Sequence, residues 1–201
     1  MANNPVTDPG TGVATRALDD ALADTFPASD PPSMTSPVVA TPSETYIAQG
    51  GSGGDVRVYR VIDAAKASQP FAANEDGGRW TPPGTACVYA SLTPATALLE
   101  YLAHLEGKTP EKLLLAVGAI PAASVLGEVN APSSWCERPY RDEVQRVGAD
   151  WIDSNRSLAL CVPSALCKDE NNVLLNPQHP GFAALQLLAL RPLEVDERLR
   201  I

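Results

Sequence analysis

Residues 87–104 read CVYASLTPATALLEYLAH, and no other stretch constrains the fold as tightly. CVYAS is a short β-rich run, which predicts a strand. Thr93 and Pro94 follow. A threonine oxygen can take up an orphan N–H of a helix's first turn, and proline is preorganised for the first helical position. The spacing predicts a helix from Pro94 to about Glu106, closed by Gly107. On its wheel Leu98, Leu102, Leu105, Ala95 and Leu99 gather on one side. Glu100 lies roughly opposite Leu98 and shares its side with Thr96 and His104. Glu100 is therefore a non-core residue, turned to solvent or to a polar cleft. It stands four residues before His104, where the two side chains can pair on the helix surface.

The other segments decide the fold class. DVRVYRVID, residues 55–63, alternates as a strand, with Val56, Val58 and either Tyr59 or Val61 inside. Residues 63–86 are rich in loop signals, among them GGRW and TPPG. KLLLAVGAIP predicts an apolar strand, and residues 121–136 predict loop and short strand pieces. RDEVQRVGADWIDS is partly helical and leads into SLALCVPSA, another strand. NNVLLNPQHPGF holds a short strand and a turn, and AALQLLALRPLEVDERLRI ends in strands. Strands outnumber helices and do not alternate with them. That predicts an α+β domain with a mainly antiparallel or mixed central sheet.

Residues 1–54 differ in character. They carry seven prolines (Pro5, Pro9, Pro27, Pro31, Pro32, Pro37 and Pro42) and a single basic residue, Arg16. Such a segment buries too little apolar surface to offset its ordering entropy, so a largely disordered acidic arm is expected. Within it Leu18, Leu22 and Phe26 recur at helical spacing until Pro27, which predicts a short helix near 16–26. GGSGG at 50–54 reads as a flexible joint into a folded domain over 55–201.

Composition excludes several functions. The net charge of −9, with no basic stripe, argues against direct nucleic-acid binding. No window reaches ~18 consecutive apolar residues, so no membrane span is expected. The N-terminus lacks the basic and apolar regions of a secretory signal, so a cytoplasmic location is expected. Cys87, Cys136, Cys161 and Cys167 show no CxxC spacing, and they read as small buried hydrophobes in a reducing compartment. A zinc site built on His104 and His179 would lack further ligands, so no metal is expected.

Candidate site residues are scattered. Arg60 ends an apolar strand, and Arg79 sits in GGRW, where glycines allow close approach of a ligand. Arginine suits the bidentate recognition of anions. Ser164 follows Pro163 at a strand end, outside any GxSxG setting. Asn172, Asn176 and His179 fall in polar turns, where turn chemistry accounts for them. The phosphate-cradling GxxxxGK[ST] and GxGxxG patterns are absent.

Taken in order, VYRV, GGRW, GTACVYAS, ALLE, GADW, LCVPSA, NNVLLNPQHP and DERL make a set. That ordered set resembles the RES domain of bacterial toxin–antitoxin systems, named for an Arg, a Glu and a Ser. The resemblance spans about residues 56–200 and leaves the arm out. It implies a compact fold similar to ADP-ribosyltransferases. It also implies an enzyme that consumes NAD as substrate, without a resident cofactor, by cleaving the nicotinamide–ribose bond. The expected partner is an Xre-type antitoxin, and a homodimer is a further expectation.

By matching position, the family Arg falls on Arg60, the Glu on Glu100 and the Ser on Ser164, with Ser157 as the alternative for the last. Arg79 and Tyr89 match cofactor-site positions. The resemblance gives Glu100 the stabilisation of positive charge on the ribose. Arg60 and Arg79 would bind the pyrophosphate or orient the adjacent ribose. Tyr89 would offer a face for the nicotinamide. Ser164 would bond either the ligand or Glu100. Two competing readings are a protein ADP-ribosyltransferase using the same site and a non-catalytic interaction module.

Overall fold

A computed structural model describes residues 54–105 and 112–199 of the chain. The expected N-terminal arm, its helix near 16–26 and the expected stop at Gly107 lie outside these residues.

The strands are β1 (Asp55–Asp63), β2 (Val88–Ser91), β3 (Leu113–Pro121), β4 (Val125–Glu128), β5 (Ala159–Pro163), β6 (Asn171–Leu175) and β7 (Gln186–Leu193). The helices are α1 (Pro94–Ala103) and α2 (Asp142–Ser154), with short 3-10 turns between elements. Among the described residues the strands form one sheet in the order β4-β5-β6-β2-β1-β3-β7. Its neighbours are antiparallel except β4 and β5, which run parallel. The fold is thus α+β with a mixed, mostly antiparallel sheet, as the element order predicts.

The sheet has two wings. β1 pairs with β3 along its whole length, from Asp55 opposite Pro121 to Asp63 opposite Leu113. β2 pairs with β6 from Val88 opposite Leu175 to Ser91 opposite Asn172. Between β1 and β2, however, the one registered pair is Tyr59 opposite Ser91. Beyond that pair the two strands share no registered ladder, and the wings meet through the packing of Val56 and Val58 with Val88 and Ala90.

Both faces of the sheet are covered. Val56, Val58, Val88, Ala90 and Ile120 form a core on one face. On the other face α1 covers Val61, Leu115 and Val117, and α2 lays Val144, Trp151 and Ile152 over Leu160, Val162 and Leu174. Alternation along β1 therefore buries Val56 and Val58 on one side and Val61 on the other. Of the two alternatives Tyr59 and Val61, Val61 is the buried one and Tyr59 is half-buried.

Helix α1 also departs from its wheel. Thr93 caps it as expected, accepting from the Thr96 N–H at 3.2 Å, but the helix ends at Ala103 and His104 is its C-cap. Leu99 is 43% exposed, while Thr96 is 2% exposed. The helix buries two stripes. Ala97, Leu98, Tyr101, Leu102 and Leu105 pack over the β1–β3 wing. Thr93 and Thr96 are buried beside them, with Thr93 Oγ1 donating to Thr96 Oγ1 at 2.8 Å. A wheel weighted by hydropathy alone misses this second, polar stripe, one turn before Glu100.

The remaining segments follow their chemistry. RDEVQRVGADWIDS is helical over nearly its whole length, ending where Asn155 takes a left-handed conformation at φ 50°. The C-terminal segment holds one strand, β7, and a turn at Glu197–Leu199. Cys87 and Cys161 are buried, as expected of small hydrophobes, but Cys136 is exposed and Cys167 is half-buried. Burial disfavours the thiolate and pushes the Cys161 thiol up to about 11 and the Cys87 thiol up to about 12.

Candidate active site

Four elements converge on one carboxylate. Glu100, half-buried on α1, accepts at Oε1 from Ser164 Oγ at 2.8 Å and from Asn172 Nδ2 at 2.6 Å. Ser164 follows β5 and is fully buried. Its oxygen already accepts from the backbone N–H groups of Leu166 and Cys167, each at 3.2 Å. The hydroxyl proton is thereby directed at Glu100. Asn172, on β6, has its Oδ1 occupied by Ser91 Oγ, which donates at 2.6 Å from the end of β2. Among the described residues no hydrogen bond reaches Glu100 Oε2.

His104, expected to pair with the Glu100 side chain, instead bonds its backbone. His104 Nδ1 lies 2.7 Å from the Glu100 carbonyl oxygen. A carbonyl only accepts, so Nδ1 carries the proton. In the neutral ring Nε2 then accepts from the Tyr140 hydroxyl, 3.3 Å away. The carboxylate is left to Ser164 and Asn172.

Tyr140 leads on to Arg79. The Arg79 guanidinium stacks over the Tyr140 ring at 5.0 Å, and Arg138 approaches the same ring at 5.8 Å. Arg79 Nη1 also donates to the carbonyls of Trp135 and Glu137, at 2.8 and 3.0 Å. Arg79 is thus fixed on the 135–140 segment and joined to the Glu100 helix through Tyr140 and His104.

Tyr89 and Arg60 hold loops. The Tyr89 hydroxyl accepts from the Trp80 N–H at 3.3 Å and bonds Thr81 Oγ1 at 2.9 Å. Burial pushes its phenol up from the ordinary tyrosine value. Gly78 lies directly above the ring, where a Cβ would come within 2.9 Å of the hydroxyl oxygen. Of the two glycines of GGRW, Gly78 therefore serves close packing on Tyr89, while Gly77 takes φ 77° against the Pro82–Pro83 backbone. Arg60 Nη1 donates to the Ala72 carbonyl at 2.7 Å and more weakly to that of Pro70 at 3.4 Å. Burial lowers its pKa from the ordinary arginine value, opposed by the neighbouring Cys87 sulfur. Neither Arg60 nor Tyr89 bonds Glu100.

The structure therefore joins Glu100 to Ser164 directly and to Arg79 through two intermediaries. Ser157, the alternative to Ser164, accepts from Trp151 Nε1 and donates to the Ala159 carbonyl, both at 2.9 Å, inside the core. Asn172 and Ser91 were not foreseen at the site. The usable signal was that NNVLL places Asn172 on the same strand face as buried Leu174. A polar residue there needs a partner. Among the described residues no three His, Cys, Asp or Glu side chains gather as a metal site. A cavity of about 450 Å³ between β4 and α2, lined by Leu126, Glu128, Val147, Trp151 and Arg156, contains none of the site residues.

Residues 57–196 match the model of the RES domain. Toxin Res of Yersinia enterocolitica is 33% identical over 151 residues, covering 71% of this chain and 99% of its own length. The Prs ADP-ribosylating toxin of a Sphingobium species is 32% identical over 151 residues, covering 72% of this chain and 91% of its own length. Among solved structures, a chain of the M. tuberculosis MbcT–MbcA toxin–antitoxin complex superposes with a TM-score of 0.51. That match covers 77% of this chain and 93% of that one at 15% identity, a likeness of fold. With the family model matched over 57–196 and relatives covered along nearly their full length, the chain belongs to the RES domain family.

Proposed function

We propose that this protein is a toxin that cleaves NAD at the nicotinamide–ribose bond, with Glu100 as the catalytic carboxylate. The observation that carries this reading is the half-buried Glu100 side chain, held at Oε1 by Ser164 and Asn172 with Oε2 unbonded among the described residues. In the reaction the C–N bond breaks and its electron pair leaves with nicotinamide. Positive charge builds on the ribose, as in glycoside cleavage. A preorganised carboxylate stabilises that charge as it forms and orients the ribose hydroxyls. An oxygen of water or phosphate then bonds to the anomeric carbon, and the attacking water gives up one proton to solvent. Arg79 and Arg60 are assigned to the pyrophosphate or the adjacent ribose, and the Tyr89 ring to the nicotinamide. Incubation of the purified protein with NAD tests this, with and without phosphate. Release of nicotinamide is expected, and a folded protein that releases none contradicts it.

A second reading has a specific support: one relative is named as an ADP-ribosylating toxin. The same carboxylate would then serve transfer of ADP-ribose to a protein. Labelled ADP-ribose on a protein band, with little free product, distinguishes this outcome from hydrolysis or phosphorolysis.

An Xre-type antitoxin is the proposed partner, supported by the likeness to a chain from a toxin–antitoxin complex. The chain's net charge of −9 is in keeping with leaving any DNA contact to that partner. NAD as substrate and an antitoxin as partner place the proposed action in the cytoplasm. No described helix is long and apolar enough to cross a membrane. Homodimerisation belongs to the same proposal.

A further inference from the structure

We infer that Asn172, backed by Ser91, is the positioning residue that makes Glu100 present one particular oxygen to the substrate. The inference rests on the NAD-cleavage reading for its kinetic consequences, but its geometry stands separately. Ser91 Oγ donates to Asn172 Oδ1 at 2.6 Å, and Asn172 Nδ2 donates to Glu100 Oε1 at 2.6 Å. A carboxylate only accepts, so the amide must turn its NH2 toward Glu100 and its oxygen toward Ser91. Ser91 then has to donate. The relay runs in one direction, from the end of β2 through β6 to α1.

Ser164 reaches the same Oε1 from β5. Its oxygen is occupied by two backbone N–H groups, so its proton has a single destination. Two independent donors are thus aimed at one oxygen. Rotating the carboxylate away would leave the fully buried Ser164 hydroxyl and the half-buried Asn172 amide without an acceptor, which disfavours the rotation. The amide also does what an acidic side chain cannot. A carboxylate at position 172 would face Glu100 with like charge, and the pair would retain a proton between them.

Ser91 stands opposite Tyr59 in the one registered pair that joins the two wings of the sheet. The relay therefore anchors the carboxylate to the seam between β1 and β2.

The test uses the full chain and follows nicotinamide release from NAD against pH, together with crystal structures of the variants. Asn172→Ala is expected to lower kcat on the order of 10- to 100-fold with little change in KM, as for a lost preorganised donor. Ser91→Ala is expected to lower kcat less, and to add nothing in the Asn172→Ala background. Asn172→Asp is expected to be impaired at neutral pH and to regain activity on acidification, when the introduced carboxyl becomes a donor. A merely structural role would not produce that reversal. Wild-type kcat in Asn172→Ala, an Asn172→Asp profile parallel to wild type, or full additivity with Ser91→Ala would overturn the inference. If the wild-type protein releases no nicotinamide, the NAD reading fails, and the crystal structure of Asn172→Ala decides the positioning role alone. A rotated or split Glu100 carboxylate supports it, and an unmoved single conformer overturns it.

Discussion

Ser164 and Glu100, 64 residues apart in sequence, meet at 2.8 Å, with the serine hydroxyl donating to the carboxylate. The serine is fully buried and its oxygen accepts two backbone N–H groups, so it has a fixed geometry before any ligand arrives. Of the two roles open to it, fixing Glu100 is the one its contacts serve.

Ser164→Ala should therefore affect stability and activity together. It leaves the Leu166 and Cys167 N–H groups without their side-chain acceptor and removes a donor from Glu100. A loss of about 1–3 kcal/mol in unfolding free energy is expected. Nicotinamide release should fall on the order of 10- to 100-fold. Denaturant titration and steady-state kinetics on the same preparation check both.

The order and type of the elements were legible in the sequence. DVRVYRVID, the Thr93–Pro94 start and KLLLAVGAIP each carry a local signal, and each folds as that signal predicts. The carboxylate's setting was not legible in the same way. Glu100 looks solvated because its partners lie 64 and 72 residues away. Asn172 looks like a turn residue because Pro177 and His179 follow closely. Only strand pairing brings Ser91 opposite Asn172 and turns both toward α1. Ordered motifs supplied the link between Glu100 and Ser164; periodicity did not.

Arg79→Lys should act on substrate binding more than on chemistry. Lysine keeps the charge but cannot both span the Trp135 and Glu137 carbonyls and stack on Tyr140. KM for NAD is expected to rise on the order of 10-fold, with kcat within about 3-fold, because charge remains while geometry is lost. A large fall in kcat at unchanged KM would assign Arg79 to the chemical step instead.

Gly148→Ala tests the packing of α2. A Cβ at this position would overlap the Trp80 carbonyl oxygen and press on the Thr81 methyl. Backbone, not a flexible side chain, is in the way. Overpacking of this kind is expected to cost about 3 kcal/mol or more. The Trp80–Thr81 segment also holds the Tyr89 hydroxyl, so activity should fall with stability. Thermal unfolding monitored by circular dichroism checks the first expectation.

Stability should decline at alkaline pH. The Cys161 and Cys87 thiols rise from 9.0 to about 11 and about 12 because burial disfavours their charged forms. A group whose pKa is raised on folding contributes fully below its unfolded value and loses that contribution as pH climbs through its folded value. The melting temperature should therefore hold up to about pH 9 and fall from there toward pH 11–12. Cys161→Ala should flatten the part of that fall between pH 9 and 11. A melting temperature independent of pH over this window would show that the thiols are not linked to folding.

On the proposed reading Glu100 performs the chemistry rather than merely closing a hydrogen-bond network. Glu100→Gln keeps the shape, and its amide oxygen can still accept from Ser164 and Asn172. It removes the charge and puts an NH2 group in place of the second carboxylate oxygen. Nicotinamide release from NAD by this variant, measured against wild type at equal concentration, is the most direct test. The expected result is a fall of about 100-fold or more in kcat with an unchanged melting temperature. Release at the wild-type rate would contradict the assignment.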